Sequence, residues 1–161
     1  MSEIKIRAAT AADADDIGKL ASQFHEYLRQ LGDRCDFYFN STTYLRDGFG
    51  EHPAFIGFVA ESEGSDVVGY LILSFGYDTD RSRRLAYVAD LFVQESWRGR
   101  GVGNALMAHA AETARARGVE TLWWGVHERN EDAMRFYEKL GARFVTGIRF
   151  MSIEIETLIS K

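Results

Sequence analysis

Arg98, Gly99, Arg100, Gly101, Val102, Gly103 and Asn104 are consecutive, and they stand between an apolar run and an alanine-rich stretch. Glycine at every second position removes side chains where two regular elements should meet, which lets another group approach the backbone closely. The chemistry this permits is anion binding. The first turn of a helix carries unpaired N–H groups, its dipole favours negative charge, and two arginines add positive potential. Spacing excludes two nucleotide patterns. A P-loop needs four residues between its glycines and then Lys-Ser/Thr, and no such run exists. The dinucleotide fingerprint G-x-G-x-x-G ends on Asn104 when counted from Gly99 and on Leu106 when counted from Gly101, so both registers fail. What remains is R-x-x-G-x-G at Arg98, Gly101 and Gly103, following a strand and opening a helix. An ordinary strand–helix turn is the alternative. Arg-Gly segments that bind nucleic acid are repetitive and disordered, unlike this one.

The elements that must position this loop are legible from periodicity. "EIKIRAA" alternates as a strand, and "ADADDIGKLASQFHEYLRQLG" is a helix with Ile17, Leu20, Phe24, Tyr27, Leu28 and Leu31 on its apolar stripe and Gly32 as its stop. "DRCDFYFNSTTYLRDGFGEHP" holds a short second helix and loops. Strands follow at "AFIGFVAE", "DVVGYLILSF" and "RLAYVADLFV", the first two joined by a turn around Glu63, Gly64 and Ser65. A long helix spans about 102–117, then come a strand at "ETLWWGV", a helix at "NEDAMRFYEKLG", and two last strands at "RFVTG" and "IRFMSIEIETL". The order β1-α1-α2-β2-β3-β4-α3-β5-α4-β6-β7 predicts an α/β (α+β) fold, a mixed, mostly antiparallel sheet flanked by helices.

Bulk properties bound the function. The 161 residues suffice for one domain, 1–161, with one substantial core. Hydrophobic residues make up 46% and charged residues 27%, an ordinary globular composition. The net charge of −5 disfavours a nucleic-acid surface and is compatible with a cationic substrate. Cys35 is the only cysteine, so it forms no internal disulfide, and no metal-ligand spacing surrounds it. Its default reading is a reduced, partly buried thiol. "MSEIKIRAAT" has no apolar signal core and no run reaches the length of a membrane span, which predicts a cytoplasmic protein without a membrane partner.

In "ERNEDAMRFYEKLGARF", Asn130 can cap a helix with Glu131 and Asp132 in its first turn, and Gly141 can end it. Ala133, Phe136, Tyr137 and Leu140 fall on one face, which by position alone makes Tyr137 a core residue. The two motifs together, R-x-x-G-x-G after a strand and then N-x-x-A-x-x-F-Y-x-x-x-G, resemble the GCN5-related N-acetyltransferase (GNAT) superfamily over essentially the whole chain. "YVADLFV" and "NEDAMRFYEKLGA" are most similar to its diamine acetyltransferase branch. This chain departs from some members of that branch at Ala89, where they carry a glutamate, and retains Asp90.

The resemblance implies acetyl-CoA, or another acyl-CoA, as co-substrate and no metal. Its pyrophosphate would lie on the loop of Arg98, Gly99, Arg100, Gly101, Val102, Gly103 and Asn104. The pantetheine arm would pair like an added strand with Leu91, Phe92 and Val93, aided by the Asn130 side chain, with Phe136 beside it. Tyr137 would protonate the departing thiolate, and the Leu91 N–H would polarise the thioester carbonyl. Asp90 is the first candidate for proton acceptor, with His127 and Glu128 in reserve; a structural carboxylate bonded to backbone or to an arginine is the alternative. Direct attack in a ternary complex is expected rather than an acyl-enzyme on Cys35, which has no evident base. Acceptor selection is expected from residues 25–39 and the loop "GYDTDRSRRL". There Glu26, Asp33 and Asp36 would receive a cationic amine, Tyr27 and Tyr38 would wall its stem, and Trp123 or Trp124 would line the cleft. The activity expected is acetylation of a primary amine of a small molecule. A protein or peptide acceptor, or a non-catalytic acyl-CoA-binding module, are the alternatives. A homodimer, common in the family, is permitted by exposed strand edges near the C-terminus.

Overall fold

The computed structural model describes residues 4–159, in two compact units, Met1–Asn130 and Glu131–Lys161. The first unit is built on a five-stranded sheet in the order β1-β2-β3-β4-β5, with strands Ile4–Ala8, Ile56–Ser62, Val67–Asp78, Arg83–Val93 and Val119–Trp123. All neighbours are antiparallel except β4 and β5, the pair joined through a helical crossover.

Local chemistry sets each boundary. Between β1 and α1 (Ala14–Gln30), Asp13 accepts from the Thr10 backbone N–H at 2.7 Å and from two Arg7 nitrogens at 2.8 Å each. That bidentate pair ties the strand to the start of the helix. Gly32 ends α1 at φ +98°, the left-handed value the sequence pattern predicts. Asn40 caps α2 (Ser41–Phe49), accepting from the Thr43 N–H at 3.1 Å while the Thr43 hydroxyl accepts from the Asn40 N–H. The β2–β3 hairpin turns at the expected place, with Ser65 taking the positive φ.

One face of the sheet packs Tyr70, Ile72, Val59 and Phe92 against Ile17, Leu20, Ala21 and Phe24 of α1 and Tyr44 of α2. The other face meets α3 (Val102–Ala116), which buries Val102, Leu106, Met107, Ala110 and Ala114. The sheet register shifts once in β4: Leu73 pairs with Val88, but Ile72 pairs with Asp90, so Ala89 is an extra residue.

In the second unit α4 (Glu131–Lys139) ends at Gly141, φ +88°, with the Ala142 N–H donating to the Tyr137 carbonyl at 3.1 Å. Here the structure corrects the sequence reading. The two final strands are not formed: residues 142–154 make no ladder among the described residues, and α5 (Ile155–Ile159) replaces the end of the second. Alternation tells which side chains share a face of a strand, but a strand exists only when a neighbour takes its N–H and C=O groups. Cys35 is likewise exposed rather than partly buried.

Candidate active site

The glycine loop has the conformation its composition suggests. Gly99 has φ +72° and Gly101, the residue before α3, has φ +83°. A Cβ built on either would meet nothing within 4 Å, so the loop presents bare backbone on its open side. The first helical bond runs from the Ala105 N–H to the Gly101 carbonyl at 3.0 Å. The N–H groups of Val102, Gly103 and Asn104 therefore precede the first donor of the helix. Arg98 does not extend away from this loop. Its Nε donates to the Val93 carbonyl at 3.0 Å, and its guanidinium lies 4.8 Å from the Tyr27 ring centroid and 5.4 Å from that of Phe92. It fastens the loop to the end of β4 and to α1. Arg100 lies over Trp97 at 5.0 Å. These features fit a phosphate-bearing ligand on the backbone amides.

The strand leading into the loop is open along one edge. β4 pairs with β5 only from Arg84 to Tyr87, which faces Trp123. Asp90, Leu91, Phe92 and Val93 lie past the last rung and have no strand neighbour on that side among the described residues. Asp90 owes its direction to the extra residue at Ala89. Leu73 and Ile72 point to opposite faces, so their partners Val88 and Asp90 do too, although two residues apart. Without the bulge Asp90 would share the α3 face with Val88. With it, Asp90 faces α1 and α2, where the buried Tyr70 hydroxyl donates to its Oδ2 at 2.9 Å. Burial pushes the Asp90 carboxyl up to about 6, and the Tyr70 bond opposes part of that rise. Tyr70 itself is held well above its ordinary value, mainly by burial, so it stays a donor.

The end of α1 and the segment after β5 come together. The Tyr27 hydroxyl donates to Asn130 Oδ1 at 3.0 Å, and Asn130 is a buried polar residue. A Cβ on Gly32 would lie 2.9 Å from Arg129 Nη1, so the guanidinium packs over that glycine. His127 Nδ1 accepts from the Arg129 N–H at 3.2 Å. Asp33 sits below the usual carboxylate range, first through the Cys35 N–H bond and further through the nearby His127. Asp33 in turn raises the Cys35 thiol, the opposite of what an activated nucleophile needs.

Of the residues expected to meet an acceptor, Glu26 and Asp36 are exposed, Tyr38 is 74% exposed, and Trp123 and Trp124 are half-buried. Glu128 is exposed. Tyr27 is engaged with Arg98 and Asn130. In the second unit, Phe136 and Tyr137 are half-buried and meet edge to face at 5.1 Å. Among the described residues of α4 none is fully buried. The described residues contain no group of three or more His, Cys, Asp or Glu that could hold a metal, and no helix among them is long and apolar enough to cross a membrane. Sequence reading missed Tyr70. Its signal was a single polar-tipped residue within "VVGYLILSF", but linking it to Asp90 required the bulge.

Residues 20–142 match the Acetyltransferase (GNAT) family. The chain is 34% identical to the thialysine N-epsilon-acetyltransferases of Bos taurus and Sus scrofa, in each case over 154 residues covering 91% of this chain and 88% of the relative. Among solved structures it resembles a tetramutant of the BH1408 protein from Bacillus halodurans with a TM-score of 0.78 and 26% identity, over 94% of this chain and 99% of that one.

Proposed function

The chain belongs to the acetyltransferase (GNAT) family and is an acyltransferase enzyme, and from that premise we propose that it moves an acetyl group from acetyl-CoA to a primary amine of a small molecule. The observation that carries this reading is one strand, β4, which holds the half-buried Asp90 carboxylate, an unpaired edge and the bare glycine loop in succession. The family match runs continuously across the boundary between the two compact units, which supports reading 1–161 as one domain.

In this reading acetyl-CoA supplies an activated thioester. The amides of Val102, Gly103 and Asn104 and the α3 dipole hold its pyrophosphate, and Arg98 keeps that loop in place. The open edge at Leu91, Phe92 and Val93 takes the pantetheine arm, and Asn130 orients it. A free amine of pKa about 10.4 lies roughly 3.4 units above neutral pH, so deprotonation costs about 4.6 kcal/mol. Asp90 is ionised at pH 7 and above and accepts the proton as the C–N bond forms, when the nitrogen becomes far more acidic. Tyr137 returns a proton to the departing thiolate. The substrate named for the bovine and porcine relatives puts an ω-aminoalkyl compound such as thialysine at the head of the acceptors to try. We read the enzyme as a homodimer that needs neither metal nor nucleic acid.

The test is a screen of small amines and peptides with acetyl-CoA, read by thiol release, beside thermal unfolding with and without the cofactor. Acetyl-CoA should raise the melting temperature of the parent. Gly103→Asp should remove that shift in a folded protein, because it places a side chain and a negative charge in pyrophosphate space. A shift undiminished in that variant would sink the loop assignment, and turnover of peptides alone would replace the small-molecule acceptor.

A further inference from the structure

We propose that Tyr70 is a positioning residue for the acetyl transfer: its hydroxyl fixes the Asp90 carboxylate on the bulged turn of β4 and leaves one oxygen to take the proton of the amine. This rests on the reading of Asp90 as proton acceptor and adds a residue to it.

The geometry has three parts. First, the bulge at Ala89 rotates Asp90 onto the α1 face, across from Ile72 and next to the Tyr70–Phe92 pair. Second, Tyr70 is fully buried, in one core cluster with Ile17, Leu20, Val59, Ile72 and Phe92. A phenol so confined has few rotamers, so its hydroxyl is a fixed donor rather than a mobile one. Third, its single hydrogen bond goes to Oδ2, and no other donor to Asp90 occurs among the described residues. One carboxylate oxygen is therefore committed and the other is not.

The charged surroundings are sparse, which makes the one bond decisive. From β3 the titratable group at Asp90 is Tyr70. α1 presents Ile17, Leu20, Ala21 and Phe24 to this cluster, while its Asp16 and Lys19 pair with each other at 3.0 Å on the outside. α2 presents Tyr44, whose hydroxyl donates instead to the Thr10 carbonyl at 3.3 Å and whose charged neighbours are Asp13 and Arg7. Past the end of β4, Arg98 is held over the Phe92 ring. Among the described residues no other side chain donates to Asp90. A donor to the ionised form of a carboxylate lowers its pKa, so Tyr70 also keeps Asp90 ionised further down the pH range.

Tyr70→Phe removes one oxygen and keeps the ring. Amine kcat/KM is measured from pH 5.5 to 9.5 at saturating acetyl-CoA for the parent, Tyr70→Phe, Asp90→Asn and the double variant. The parent should show an acid limb, and Tyr70→Phe should move it up by about one pH unit, a loss of roughly fivefold at pH 6 that shrinks below about twofold at pH 9. Asp90→Asn should lack this limb and keep only the steady rise set by the amine's own titration, and the double variant should match Asp90→Asn, since Tyr70 acts only through that carboxylate. The melting-temperature shift with acetyl-CoA should be the same in all four proteins. An acid limb left in place by Tyr70→Phe, with Asp90→Asn lacking it, overturns the role of Tyr70 alone. So does a double variant that loses activity beyond Asp90→Asn. An unchanged limb in Asp90→Asn overturns the assignment of Asp90 and the proposal with it.

Discussion

The proton-acceptor role proposed for Asp90 comes with a cost in stability of definite sign. Its folded value of about 6 lies above the ordinary 3.8. Between those values the native state holds a proton that the unfolded chain has released, so stability falls as pH rises through that window. The full penalty is present above pH 6, and two units correspond to on the order of 3 kcal/mol. Asp90→Asn keeps an acceptor for the Tyr70 hydroxyl and carries no charge. Urea unfolding should find it more stable than the parent at pH 8 and about equal near pH 4. An asparagine variant less stable than the parent at pH 8 would show that the carboxylate is a structural ligand instead. The sequence made Asp90 conspicuous as the one charge in "YVADLFV", but not its direction. Strict alternation puts it beside Val88, and the extra residue at Ala89 that turns it over leaves no signature in residue type.

At the scale of elements, α1 does more than cover the sheet. Its last turns hold Tyr27, whose ring lies under Arg98 and whose hydroxyl holds Asn130. One side chain thus links the glycine loop to the segment after β5, two places far apart in the chain. From periodicity Tyr27 belongs to the apolar stripe of α1, and that is correct as far as it goes, since it is half-buried. Its long-range partners depend on how α1 crosses the sheet, which local pattern does not encode. The glycine loop was legible because its needs are local: positive φ at Gly99 and Gly101 and a helix starting at Val102. Tyr27→Phe keeps the ring and loses the bond to Asn130, worth about 0.5–1.5 kcal/mol. The KM for acetyl-CoA should rise about 2- to 10-fold with the KM for the amine unchanged. A rise confined to the amine would place Tyr27 in the acceptor pocket, as the sequence first suggested.

For the whole molecule, the segment after Gly141 carries a run of exposed apolar side chains. Strand-like alternation after Gly141 is real, but residues 142–154 make no ladder among the described residues. Phe150 is 84% exposed and Met151 98%, and Phe144, Ile155 and Ile159 are each more than half exposed. Apolar side chains concentrated in one exposed segment mark an interaction surface in a protein whose remaining core is well packed. A segment with strand-like alternation and no ladder among the described residues is suited to pair with another chain. A second copy supplies the same segment at the same concentration and meets no large electrostatic barrier, because the net charge of −5 is spread over 161 residues. Light scattering at micromolar concentration should therefore give twice the mass of the chain. Phe150→Glu with Met151→Glu should return it to the monomer mass, by placing charges in the surface to be buried. The thermal shift with acetyl-CoA should survive in that variant, since the loop and β4 edge belong to the first unit. A parent that stays at monomer mass up to about 100 μM, weaker than the affinity of a standard interface, would remove the dimer from this account.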